Sequence, residues 1–579
     1  MKHTYLLFVL TLVVALAALT ACAAPTQAPA PTSAPAAAPT QVPAPTSAPA
    51  AATSAPATKA PEPTQAPAPA GEQPVKGGTL VVSHGVNCSD SLNQHISSHT
   101  PCRMVAHHVL DTLVAVNPKN GEVVPSLAAS WEVSPDGKVY TFKLRTDVKF
   151  HDGTPFNAQA VKYNFDYTIR PDVPHKFAWS AIGGDQLEKT EVVDNNTVRV
   201  TFKAAFPTFL INLSDGGLGI DSPTAMEKFG KDYGFKALVG TGPFIFKEWV
   251  INDHITLVRN DEYKWAPSIF KNKGAPYLDQ IIYRDVADSA TRAAALEAGE
   301  VNVATLTEPQ SAQFKNSKTV QLLTTPKAGT TRMYLMNTAK APTNELQVRQ
   351  AINHAIDKKA LLVLPAWSGI GYVGLAPLPA NMVPNSDLSS LKQYDYAYDQ
   401  AKAKQMLDDA GWKVGADGIR EKGGQKMIID FVTTATSVPQ VEPIDQMLRQ
   451  IGIRLNIRTG DTNFWLNTVD KKDFGMTLMS DSGYNGPALV HEFFYTKSAY
   501  NSYGYSNSVV DQNLEKAMNA PNQKVMWESM FPAMAQVMKD AVGVMGWEQL
   551  YIYGASANLR DAGFNEIGFP FFYDAWIKK

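Results

Sequence analysis

Seven residues, Val139-Tyr140-Thr141-Phe142-Lys143-Leu144-Arg145, place Tyr140, Phe142 and Leu144 on one face and Thr141, Lys143 and Arg145 on the other. A period of two is that of a strand with one face against a core and one toward water. Pro135-Asp136-Gly137 before it is a turn: proline presets φ, the Asp side chain bonds nearby backbone, and Gly takes a positive φ. Val148-Lys149-Phe150 reads as a second short strand, running into a tight turn at Asp152-Gly153. Asn157 then suits an N-cap, and Ala158, Val161, Phe165 and Ile169 follow at helical spacing. The stretch Ser130 to Asp166 is therefore strand, turn, strand, turn, capped helix. It holds no nucleophile and no phosphate loop, so its own role is structural.

The chain has 579 residues, 45% hydrophobic and 18% charged, with a formal net charge of -2. That length exceeds what one core usually takes, so at least two lobes are expected. The charge leaves no electrostatic footprint for nucleic acid. Lys2 and His3 precede an apolar run from Tyr5 to Leu19, shorter than the ~20 residues of a membrane span and suited to a signal peptide. Leu19-Thr20-Ala21-Cys22 resembles a bacterial lipobox, which implies cleavage before Cys22 and lipidation of its thiol; ordinary signal cleavage nearby is the alternative. From Ala23 to about Gly71 the chain is Ala, Pro, Thr, Ser and Gln, and residues 25–38 recur at 39–52 with Val42 replacing Ala28. Such a segment buries too little apolar surface to offset its ordering entropy. Its prolines favour polyproline II, and at ~3.1 Å per residue about 50 residues reach on the order of 150 Å.

The SWEVSPDGKVYTFKLRTDVKFHDGTPFNAQAVKYNFD segment closely resembles the signature of the family 5 extracellular solute-binding proteins, the dipeptide-, oligopeptide- and nickel-type receptors of bacterial ABC importers. Other blocks follow in the family's order: Val109 to Val114, Val239-Gly240-Thr241-Gly242-Pro243-Phe244, the helix Ala290 to Gly299, and Val348 to Asp357 with His354 where tyrosine is frequent. The resemblance implies an α/β, two-lobe periplasmic-binding-protein-like fold (type II, cluster C) with an extra subdomain in the first lobe. The expected division is 1–21 signal peptide, 22–75 lipidated tether, 76–329 first lobe with its subdomain at about 116–236, 330–540 second lobe, and 541–579 returning to the first. The implied function is capture of an extracytoplasmic solute, peptide first among the classes, by lobe closure. Delivery would be to a permease driven by ATPase subunits, by a monomer anchored outside the cytoplasmic membrane. No cofactor and no resident metal are implied. A metal-chelate, haem or sugar receptor, or a sensory one, on the same scaffold is the alternative.

Leu478-Met479-Ser480-Asp481 stands where peptide-binding members end a strand in Trp-x-x-Asp, an aspartate that pairs with the substrate's ammonium group. Leu478 replaces the tryptophan, and Asp481 has a second reading as a turn cap. Trp465 and Tyr484 are candidate stacking groups. Trp367 falls in a glycine- and proline-rich loop, Pro365 to Pro379, that resembles one bordering the cleft, and Arg332 is a candidate for bidentate carboxylate binding. His84, His95, His99, His107 and His108 crowd between residues 84 and 108 with Cys88 and Cys102. Three readings stand side by side: a Cys88–Cys102 disulfide, permitted outside the cytoplasm; a metal site of His and Cys; or independent histidines. No GxSxG, HExxH or Walker A pattern occurs, so an enzyme is not expected.

Overall fold

The computed structural model describes residues 72–579, apart from 85–87, 89, 98, 119, 175–176, 365–366, 368–370, 484, 566 and the side chain of 308. The expected signal peptide, Cys22, nearly all of the tether and Tyr484 lie outside the described residues.

Strand β1 (Thr79–Ser83) leads through a loop to helix α1 (Thr100–Ala106). The subdomain follows as an antiparallel sheet: β2 (Ala128–Val133), β3 (Val139–Leu144), helix α2 (Ala158–Thr168), β4 (Leu187–Asp194) and β5 (Thr197–Phe202), ordered β2-β3-β5-β4. Tyr140, Phe142 and Leu144 of β3 are buried as their alternation predicts, and with Phe165, Phe202 and Phe209 they build the subdomain core. Asn157 caps α2 through a bond from Ala160 N at 3.0 Å. Val148 to Phe150 is not a strand. Phe150 N bonds Thr154 O at 2.9 Å, the chain closes on itself at once, and one bridge, Lys149 to Pro155, is all that forms.

The main sheet then grows through β6 (Phe244–Val250), β7 (His254–Arg259), β8 (Gln280–Arg284), β9 (Val303–Thr305) and β10 (Val320–Pro326). The second lobe adds β11 (Arg332–Met336), helix α3 (Leu346–Ala355), β12 (Gly371–Val373), β13 (Ile428–Thr434), β14 (Arg454–Gly460), helix α4 (Thr462–Asp470), β15 (Met476–Met479) and helix α5 (Gly486–Phe494). The last long strand is β16 (Gly543–Ser556). The twelve strands run β14-β13-β15-β11-β16-β9-β1-β8-β7-β6, with β10 and β12 also on β16. Met333 and Leu335 enter one core and Tyr334 and Met336 another. The strand Met333-Tyr334-Leu335-Met336 is apolar without alternation because both its faces are covered.

β16 is the seam. Residues Gly543 to Trp547 pair with β11 of the second lobe, while Leu550 to Ser556 pair with β10 of the first. This one 14-residue strand thus changes partner at about Glu548–Leu550, inside the segment expected to return to the first lobe. The opposite crossing is Lys327 to Thr331, between β10 and β11. The lobes touch in the state described: Asn485 Nδ2 donates to Asn212 Oδ1 at 3.1 Å, and Asn385 N donates to Asn120 O at 3.2 Å. The Gly137 turn, at φ 70°, packs so tightly on Pro521 that a Cβ there would lie 2.8 Å from its backbone. At the amino-terminal edge, Glu72 accepts from Arg560 Nε at 2.9 Å and pairs with Lys578.

Candidate functional site

The two crossings bring charged groups of distant sequence to the gap between the lobes. Gly329, at φ 144°, permits the closest approach: a Cβ there would sit 2.1 Å from Asp481 O. Thr330 fixes the same residue, its N donating to Asp481 O and its Oγ1 accepting from Asp481 N, both at 2.8 Å. Asp481, just beyond β15, is therefore held by backbone against the first crossing. Its Oδ1 accepts from Ser482 N at 2.6 Å, so it does cap its own turn. Lys327 and Arg332 flank the same crossing. Burial pulls the Lys327 ammonium below its usual pKa, Arg332 pulls it further, and Asp481 opposes both. Lys327 Nζ also lies 5.8 Å from the centre of the Tyr551 ring.

The first lobe faces this cluster with Arg103 of α1. Its guanidinium lies 4.1 Å over the Phe177 ring and 3.6 Å from Asp215 Oδ2. Arg103 Nε and Asp215 Oδ2 find no hydrogen-bond partner among the described residues. The pair is an ionic contact rather than a closed fork. From α5 comes Glu492, half-buried, whose carboxyl is pushed up by burial and then by the Asp481 charge. Glu492 borders a cavity of about 280 Å³ walled by both lobes.

The predicted aromatics fare differently. Trp367 is 0% exposed, its ring centre 3.9 Å from that of Trp547 at a tilt of 48°, and it packs near Tyr334. It packs in a second-lobe core cluster, where an indole's large area is well buried. Trp465 lies on α4, donates Nε1–H to Thr477 Oγ1 at 2.9 Å, and packs against the second-lobe core. Arg332 and Asp481 come together as described. Arg103, Asp215, Phe177, Lys327 and Glu492 were not anticipated. Lys327 carried one readable signal, its place in Pro326-Lys327-Ala328-Gly329 just before the expected lobe crossing.

The histidine-rich segment resolves into separate environments. Cys88 and Cys102 are joined in a disulfide, with Cα atoms 4.6 Å apart. The only convergent group of three His, Cys, Asp or Glu among the described residues is Cys88, Asp90 and Cys102, and its sulfurs are bonded to each other. His95 sits between Thr168, at 2.7 Å, and Asp221, at 3.2 Å. Burial holds His84 and His107 down to about 4 and His108 to about 3, so all three stay neutral at pH 7.

The profile described as bacterial extracellular solute-binding proteins, family 5 Middle, matches residues 122–504. The chain is 33% identical over 425 residues to the glutathione-binding protein GsiB of Pectobacterium atrosepticum, covering 70% of this chain and 76% of that protein. This chain belongs to family 5 of the bacterial extracellular solute-binding proteins. The family 5 fold is seen again in NikA from Brucella suis in complex with Fe(III)-EDTA, at 27% identity, TM-score 0.73, and coverage of 86% of this chain and 100% of that one. The oligopeptide-binding protein AppA from Bacillus subtilis, in complex with a nonapeptide, shares the fold at 22% identity and TM-score 0.63, over 88% and 100% of the two chains. This family 5 protein is a solute-binding component of an ABC importer, with its interlobe gap lined as described. Among the described residues no helix is long and apolar enough to cross a membrane.

Proposed function

We propose that this receptor captures short peptides outside the cytoplasmic membrane, closes its lobes on them, and passes them intact to a permease and its ATPase. The observation that carries the reading is Asp481, held by backbone at a lobe crossing that also carries the cations Lys327, which feels its charge, and Arg332. A peptide's ammonium suits the first and its carboxylate the other two, and charged hydrogen bonds of that kind are the strong ones. A ligand that contacts groups of both lobes binds the closed form better than the open form, and only such a difference drives closure. The peptide class is supported by the relatives named for glutathione binding. Cys22 is the lipid anchor in this reading, the signal peptide ends before it, and the proline-rich segment is the tether; stable anchoring takes two or more acyl chains.

Mass spectrometry of small molecules released from the purified protein by denaturation tests the class. Peptides support the reading; a chelate or sugar as the sole released solute contradicts it. Asp481→Asn is expected to weaken binding of an amino-bearing peptide by tenfold or more in calorimetry, and unchanged affinity removes Asp481 from the site.

A further inference from the structure

The cavity of about 280 Å³ beside Glu492 is smaller than the ~300–1,000 Å³ of pockets that hold a whole drug-sized ligand. It has the scale of a subsite. Its walls come from both lobes, so whatever fills it is gripped only as they approach, and the Asn485–Asn212 hydrogen bond closes one side. Phe177 and Phe206 line it from the first lobe, Leu489 and Met518 from the second. Ser180, Asn212, Asn485, Thr208 and Glu492 interrupt that apolar lining, and the last two bear most on a charged ligand. Thr208 is 0% exposed, and its Oγ1 has no hydrogen-bond partner among the described residues. Glu492 feels burial and the Asp481 charge, and among the described residues no cation is seen to offset either. A half-buried carboxylate beside a second carboxylate is costly unless a positive charge joins it. Arg103, which lies over Phe177 of the cavity wall, is already opposed by Asp215 at 3.6 Å.

We propose that this cavity is a side-chain subsite for a basic residue of the bound peptide, with Glu492 as counter-charge and Thr208 as a second acceptor. The apolar walls fit the methylene stem of lysine, which buries its stem while its ammonium keeps polar partners. The proposal rests on the peptide reading and narrows it. It separates this receptor from one that selects glutathione, whose side chain is a thiol and whose net charge is negative.

Calorimetry with trialanine, its three single-lysine replacements, the three matching norleucine replacements and glutathione tests it. Norleucine keeps the stem and removes the charge. At one position lysine is expected to bind at least tenfold more tightly than norleucine, and Glu492→Gln is expected to abolish most of that preference. Equal affinities of lysine and norleucine at every position in the unmodified protein overturn the subsite while leaving the peptide reading standing. A lysine preference that survives Glu492→Gln overturns the role of Glu492. Failure of every peptide to bind overturns the peptide reading and the subsite with it.

Discussion

Glu548 sits on β16 where that strand changes lobes, and its Oε1 has one weak donor, Ala380 N at 3.4 Å. Burial raises its carboxyl from 4.5 to about 7. Between those two values the folded state keeps a proton that the unfolded chain has released, so this residue makes stability fall as pH rises from 4.5 through 7. Glu548→Gln removes the penalty. The variant is expected to be more stable than the parent by up to about 3 kcal/mol at pH 8 and no more stable at pH 4.5, read from urea melts. An equal gap at both pH values would contradict the buried, uncompensated carboxyl. Residues of this kind are poorly legible in a sequence. Asp481 could be found because it ends a strand at a recognisable place, and Arg332 because it opens one. Lys327 offered only its place before the expected lobe crossing, and Arg103 and Glu492 offered nothing, since their proximity is made by pairings between distant parts of the chain. For Trp367 the sequence left core packing and ligand contact both open, because composition alone does not say which aromatic side chains are buried.

Local chemistry dictates most of the elements. The Asn195-Asn196 hairpin, the Asn157 cap and the alternation of β3 all follow from residues within a few positions of one another. Val148 to Phe150 was lost because a strand needs a partner, and the turn after it leaves none. The Lys327–Thr331 crossing is the element on which the site depends most, and Gly329 is its narrowest point. An alanine there would force a strained φ and put a Cβ 2.1 Å from Asp481 O. Gly329→Ala is expected to cost about 1–3 kcal/mol of stability and to weaken peptide binding by displacing Asp481. Chemical denaturation and calorimetry on the same sample check both effects, and a variant of parental stability and affinity would contradict the tight crossing.

At the scale of the molecule, two lobes share one long strand and are joined by a second crossing, with the charged groups gathered at the junction. The two-lobe plan was legible from length and from the ordered blocks of resemblance. The change of partner along β16 was not legible, because one continuous strand pairs with both β11 and β10 and its sequence carries no break. A shared strand with two crossings allows the lobes to rotate about a narrow line while each keeps its own core. The account requires that rotation to be driven by a peptide held between Asp481 and the Lys327–Arg332 pair. Small-angle X-ray scattering of the ligand-stripped protein, titrated with the tightest-binding peptide of the calorimetric set, measures it most directly. The radius of gyration should fall and saturate at one equivalent, with the peptide recovered uncut; an unchanged radius at calorimetric saturation, or a cleaved peptide, would contradict the account.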